Sequence, residues 1–135
     1  MKRVLICEDN PVTAKLFDAA LRKFGLELTI LPDADDIVAE VVARRPDLVL
    51  MDLRLPGIGG REAIAALRGD ARTAAVRIVL HSANANVVEI AEELGVASVG
   101  KPFDLASFRR VVLAAVGYDD DDAAAAVAAN GPHPS

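Results

Sequence analysis

Leu48-Val49-Leu50-Met51-Asp52 sends four consecutive apolar residues straight into an acid. A short apolar run of this kind fits a strand buried on both faces, as in a parallel sheet covered by helices. A carboxylate that closes such a strand is costly to bury unless it is used. The same arrangement recurs on either side. Val4-Leu5-Ile6-Cys7 leads into Glu8-Asp9, and Val96-Ala97-Ser98-Val99-Gly100 leads into Lys101-Pro102. As parallel strands, these runs bring three carboxylates and one lysine to a single edge of the sheet. That edge can hold a divalent cation and a phosphoryl group.

Five strands are expected, at Arg3–Cys7, Glu27–Leu31, Asp47–Asp52, Val76–Leu80 and Val96–Gly100. Helical periodicities lie between them. Val12, Leu16, Ala20 and Phe24 fall four apart as the apolar face of a first helix, with Lys15, Asp18, Arg22 and Lys23 opposite. Ile37, Val38, Val41 and Val42 mark a second helix, Ile64 and Leu67 a third. Val87, Ile90, Ala91 and Leu94 mark the fourth, and Leu105, Phe108, Val112 and Ala115 the fifth. Asn10-Pro11 is a helix start, and Gly25 and Gly95 stand where the first and fourth helices should stop. Five βα units require right-handed crossovers and a doubly wound parallel sheet with helices on both faces. Ligands of such sheets bind beyond the carboxyl ends of the strands, where strand order reverses.

Composition narrows the function classes. The chain has 135 residues, enough for one domain with a real core. No apolar run approaches membrane-spanning length. Formal net charge is -5, and Asp119 to Asp122 supply most of it. No basic stripe with interleaved aromatics suggests nucleic-acid binding. Residues 1–116 are expected to form the folded unit. Residues 117–135, acidic and alanine-rich, read as a disordered tail or a linker stub. Met1 stands almost at the first strand, which favours a native start. It leaves no room for a signal peptide, so the expected place is the cytoplasm. The single cysteine, Cys7, excludes a disulfide framework and reads as a small buried hydrophobe. His81 should point to the opposite face of its strand from Ser82 and is read as structural.

With Glu8-Asp9, Asp52-Leu53-Arg54-Leu55-Pro56-Gly57, Ser82-Ala83 and Lys101-Pro102-Phe103 in order along the chain, the sequence resembles a response-regulator receiver domain of two-component signalling. The resemblance runs from about Lys2 to Val116. It implies the flavodoxin-like strand order 2-1-3-4-5 and a phosphoacceptor, Asp52, charged from a phosphohistidine. It further implies Mg²⁺ (or Mn²⁺) held by Asp9, Asp52 and the backbone carbonyl of Arg54, with Glu8 acting through water. Lys101 and Ser82 would contact the phosphoryl group, beside a Lys101-Pro102 bond that is usually cis. The implied partners are a histidine kinase or a histidine phosphotransfer protein, and an unnamed downstream protein. Neither nucleic acid nor membrane is an expected direct partner. The chain would act as a monomer or a phosphorylation-dependent dimer, and as a signalling phosphoacceptor rather than an enzyme. Separately, the excess of Arg over Lys and the alanine bias point to a high-GC bacterium.

Two features depart from the family pattern. Ser98 stands three positions before Lys101, where an aromatic residue is usual, and the stretch from Ser82 to Lys101 is about one helical turn short. Arg54 and Asn84 occupy positions that, by resemblance, tune acyl-phosphate lifetime. Ser98 and the short fourth unit keep a phosphorylation-independent pseudo-receiver open as an alternative. A receiver excised from a larger regulator or hybrid kinase is another. A flavodoxin would need a hydroxyl-rich phosphate loop, where this chain has acids. An aspartate-nucleophile phosphatase would want an acid at position 54.

Overall fold

The computed structural model describes residues 1–100 and 104–130. Five strands, β1 (Arg3–Cys7), β2 (Glu27–Leu31), β3 (Leu48–Asp52), β4 (Ile78–Ser82) and β5 (Ala97–Gly100), form one sheet in the order β2-β1-β3-β4-β5. All neighbouring pairs are parallel. Helices α1 (Pro11–Leu21), α2 (Ile37–Arg44), α3 (Gly60–Gly69), α4 (Val87–Leu94) and α5 (Leu105–Val116) connect or follow the strands. The doubly wound α/β fold expected from the sequence is therefore present.

The strand pleat divides the core in two. Leu5, Cys7, Val49, Met51, Ile78 and Leu80 pack with the buried residues of α2, α3 and α4. Val4, Ile6, Leu50, Val79 and Val99 pack with Phe17 of α1 and Phe108 and Val112 of α5. The Phe17 and Phe108 rings stack at 4.6 Å between centroids. Helix starts and stops follow local chemistry. The Asn10 side chain accepts from the N–H groups of Val12 and Thr13, and Pro11 opens α1. Gly95 closes α4 in the left-handed conformation, as Gly25 does the 3-10 turn after α1.

Three expectations need correction. The α1 face that meets the core is Ala14, Phe17, Ala20 and Leu21, whereas Val12 and Leu16 are 67% and 48% exposed. A strict four-residue stripe drifts around a helix of 3.6 residues per turn, so it cannot stay on one core. Strand β4 begins at Ile78 rather than Val76 and runs on through His81 and Ser82, which pair with Val99 and Gly100.

The third correction concerns the tail, where Asp120–Asn130 form a helix, α6, in place of the expected disorder. Its start is a reciprocal cap: the Asp122 N–H donates to Asp119 Oδ1 at 2.9 Å and the Asp119 N–H to Asp122 Oδ2 at 3.1 Å. Ala126 is buried, and its Cα lies 3.1 Å from where a Cβ on Gly25 would stand. A side chain at position 25 would press on α6, and the φ of 72° there also favours glycine. The Tyr118 hydroxyl donates to the Phe24 carbonyl at 3.0 Å, and the two rings meet edge to face. Alanine-rich sequence with acids in the first turn suits a helix.

Candidate functional site

Strand register builds the site. Cys7 pairs with Met51, so Glu8 comes one step beyond, next to Asp52, and Asp52 pairs with His81. Glu8, Asp52 and His81 thus stand in a row across β1, β3 and β4 at the carboxyl edge of the sheet. Alternation puts Asp52 and His81 on the α1/α5 face with Leu50 and Val79. All three are buried: Glu8 is 3% exposed, Asp52 7% and His81 0%.

Each carboxylate is held by its own following backbone. The Asn10 N–H donates to Glu8 Oε2 at 3.1 Å, and the Arg54 N–H reaches Asp52 Oδ1 at 3.4 Å. One potential ligand atom from each of Glu8, Asp52 and His81 lies within 4.8 Å of the others. Glu8 Oε1 stands 3.8 Å from His81 Nδ1. Two carboxylates brought this close repel, and a divalent cation converts that repulsion into coordination. The donor chemistry fits such an ion.

Above this row opens a cleft of about 490 Å³. Asp9, Arg54, Ser82 and Asn84 line it together with Glu8 and Asp52, so these six sequence-derived candidates share one cavity. Asp9 and Arg54 are exposed at its rim. Ser82 is buried, and its oxygen accepts from the Asn84 N–H at 3.0 Å, which leaves the hydroxyl hydrogen to donate. Asn84 in turn accepts from the Asn86 N–H at 2.8 Å. Asn10 and Thr13 complete the wall at the start of α1. Ser98 stays out of the cleft: it pairs with Leu80 on β4, two steps before Ser82. Lys101 and Pro102 lie outside the described residues. Cys7 is fully buried, and burial, followed by the charges of Asp33 and Glu40, pushes its thiol up to about 12. It is core, not a reactive group.

Further contributors were not singled out in the sequence as parts of the site. His81 belongs to the acidic row, and its ring meets Phe17 edge-on at 5.0 Å. Asp35 clamps the loop after β3, accepting from the Ile58 N–H at 3.1 Å. Gly57 has φ 75°, and a Cβ there would lie 2.1 Å from Asp35 Oδ1. Gly60 brings α3 against the chain that carries Asp52, with its N–H donating to the Leu53 carbonyl at 2.9 Å. The Gly57 and Gly59-Gly60 positions were the available signal, since a glycine at a turn often marks close backbone approach.

Comparisons with known proteins point the same way. The profile of the response regulator receiver domain family matches residues 4–113. The DNA-binding response regulator MtrA of Mycolicibacterium smegmatis is 35% identical over 107 residues, covering 76% of this chain and 45% of MtrA. The chain spans about half the length of MtrA and its mycobacterial counterparts. The receiver domain of the sensor histidine kinase PA1611 from Pseudomonas aeruginosa superposes with a TM-score of 0.77 at 30% identity. The match covers 86% of this chain and 98% of that one, whose structure has a magnesium ion coordinated in the active site cleft. A sensor protein from Polaromonas sp. JS666 gives a TM-score of 0.75 at 36% identity, over 86% and 96% of the two chains. Among the described residues, no helix is long and apolar enough to cross a membrane.

Proposed function

Because this chain belongs to the response regulator receiver domain family of two-component signalling, we propose that Asp52 is its phosphoacceptor and that the cleft above it is the phosphorylation site. The observation that carries this reading is the register-aligned pair of buried carboxylates, Glu8 and Asp52, opening into a cleft that also holds Asp9 and Ser82. An Asp52 carboxylate oxygen attacks the phosphorus of a phosphohistidine. The new P–O bond forms as the P–N bond breaks, and the imidazole leaves with a proton. Ser82 then donates its hydroxyl hydrogen to a phosphoryl oxygen. Lys101 supplies the opposing positive charge.

Asp9, Asp52 and the Arg54 backbone carbonyl would hold Mg²⁺, with Glu8 acting through water, and a cation held there would offset carboxylate and phosphoryl charge. Arg54 and Asn84 at the rim set how long the acyl phosphate survives. The donor is a histidine kinase or a histidine phosphotransfer protein, and the readout is contact with a further protein or onward phosphotransfer in the cytoplasm. The chain catalyses only its own phosphorylation and dephosphorylation. Ser98 favours a second reading, a pseudo-receiver that does not respond to phosphorylation. The resemblance places an aromatic relay at that position, and serine supplies no ring to move.

Beryllofluoride, a mimic of the acyl phosphate, separates the two. With Mg²⁺ present, amide resonances at Arg54, Ser82 and Asn84 should shift in the wild-type chain and stay fixed in Asp52→Asn. An unshifted wild-type spectrum at saturating beryllofluoride contradicts the switch and leaves the pseudo-receiver.

A further inference from the structure

The row at the sheet edge contains a group that a magnesium site does not need. Mg²⁺ takes oxygen donors and retains several waters, whereas an imidazole suits zinc and its neighbours in the transition series. His81 is fully buried on the same register line as Asp52. Its Nδ1 is 3.8 Å from Glu8 Oε1, while Glu8 Oε2 is turned towards the Asn10 N–H. We infer that Glu8, Asp52 and His81 form an inner cation position, beneath the phosphoryl cleft, that takes a borderline divalent metal with Zn²⁺-like preferences.

Geometry supports a direct site. Zinc bonds to imidazole nitrogen and carboxylate oxygen run about 2.0–2.2 Å, so two ligands of one ion stand at most about 4.4 Å apart. The three groups already lie within 4.8 Å of one another. Small rotations of the Glu8 and Asp52 carboxylates close the difference. The β4 strand and the edge-on Phe17 ring fix the imidazole, as a ligand position requires. An ion there engages the Asp52 carboxylate itself. A metal of this class therefore opposes phosphorylation, where Mg²⁺ assists it. That consequence rests on the function proposed above; the binding does not.

The test uses the full chain in a His133→Ala background, since His81 and His133 are its two histidines. Calorimetric titration with Zn²⁺ should show one equivalent bound. His81→Val, a residue suited to a buried strand, should weaken that binding by more than the roughly 10–100-fold typical of losing an outer-sphere partner. Mg²⁺ affinity should stay within about twofold, because magnesium draws on oxygen ligands. One equivalent of Zn²⁺ should also suppress the parent's phosphorylation by acetyl phosphate with Mg²⁺ relative to its own zinc-free rate. It should not lower the rate of His81→Val below that variant's own zinc-free rate, whatever that rate is. Absence of zinc binding, or equal zinc affinity in both proteins, overturns the inference. Should His81→Val not fold, the His81 ring proton resonances of the parent decide. A shift complete at one equivalent of Zn²⁺ supports the site, and fixed resonances overturn it. If zinc binding needs His81 but the chain takes no phosphoryl group with Mg²⁺ alone, the phosphoacceptor reading fails and the metal position stands.

Discussion

Asp52→Asn is expected to melt above the wild-type chain in metal-free buffer and to lose most of its stabilisation by Mg²⁺. The carboxylates of Glu8 and Asp52 are both buried, with ligand atoms inside 4.8 Å, and Asp9 lines the same cleft. At an effective dielectric near 20, two charges at that distance repel by about 3.5 kcal/mol. Solvent at the cleft mouth reduces this, so a gain of about 1–2 kcal/mol is the expected size. For a fold of this length that is roughly 4–10 °C in Tm. The wild-type chain should recover the difference as Mg²⁺ is added, since a ligand at ten times its Kd stabilises by about 1.4 kcal/mol. Thermal melts of both proteins, with and without Mg²⁺, read this directly. Equal melting temperatures in metal-free buffer, or an equal Mg²⁺ response, would show that Asp52 is neither strained by its neighbours nor a metal ligand.

Gly60→Ala should damage both fold and site. A Cβ at Gly60 would lie 2.4 Å from the Asp52 carbonyl oxygen and 2.9 Å from Leu53 Cα. Both neighbours are backbone, so no side chain can swing aside. Either α3 retreats or the end of β3 moves, and β3 is held by ladders on both sides. Forcing atoms into such a contact costs about 2–3 kcal/mol. Because the atoms that move carry Asp52, phosphorylation should slow by at least about tenfold, given that a 1 Å misplacement can cost about a hundredfold. Gly69→Ala is the control. At the other end of the same helix a Cβ meets nothing within 4 Å, so this change should be neutral or gain about 0.5–1 kcal/mol. Equal stability and equal phosphorylation rates for the two variants would remove Gly60 from the account.

The parts of the structure that were legible in the sequence are those set by local rules. Apolar runs ending in Asp52 and Glu8 identified central strands, because strands buried on both faces lack polar alternation. Asn10-Pro11, Gly25 and Gly95 marked helix ends, because caps depend on one or two residues. From strand ends alone, Glu8, Asp9, Asp52 and Ser82 could be grouped, and one cleft does hold them.

What escaped depended on tertiary contact. Val12 and Leu16 looked like core because they are apolar at helical spacing, yet the sheet meets α1 along Phe17 and Leu21. Helix α6 has no apolar face to detect; it is seated by Ala126 against Gly25, a contact between residues a hundred positions apart. His81 was placed on the correct face, opposite Ser82, but its closeness to Glu8 depends on the pairing of β3 with β4 and of β1 with β3. No single strand encodes that row.

Intact mass after incubation with acetyl phosphate and Mg²⁺ tests the central claim most directly, alongside Asp52→Asn and a metal-free sample. One phosphoryl adduct on the wild-type chain, absent from both controls, is the predicted result. An adduct that persists in Asp52→Asn, or no adduct from acetyl phosphate and from a phosphorylated histidine kinase alike on a folded chain, would contradict it.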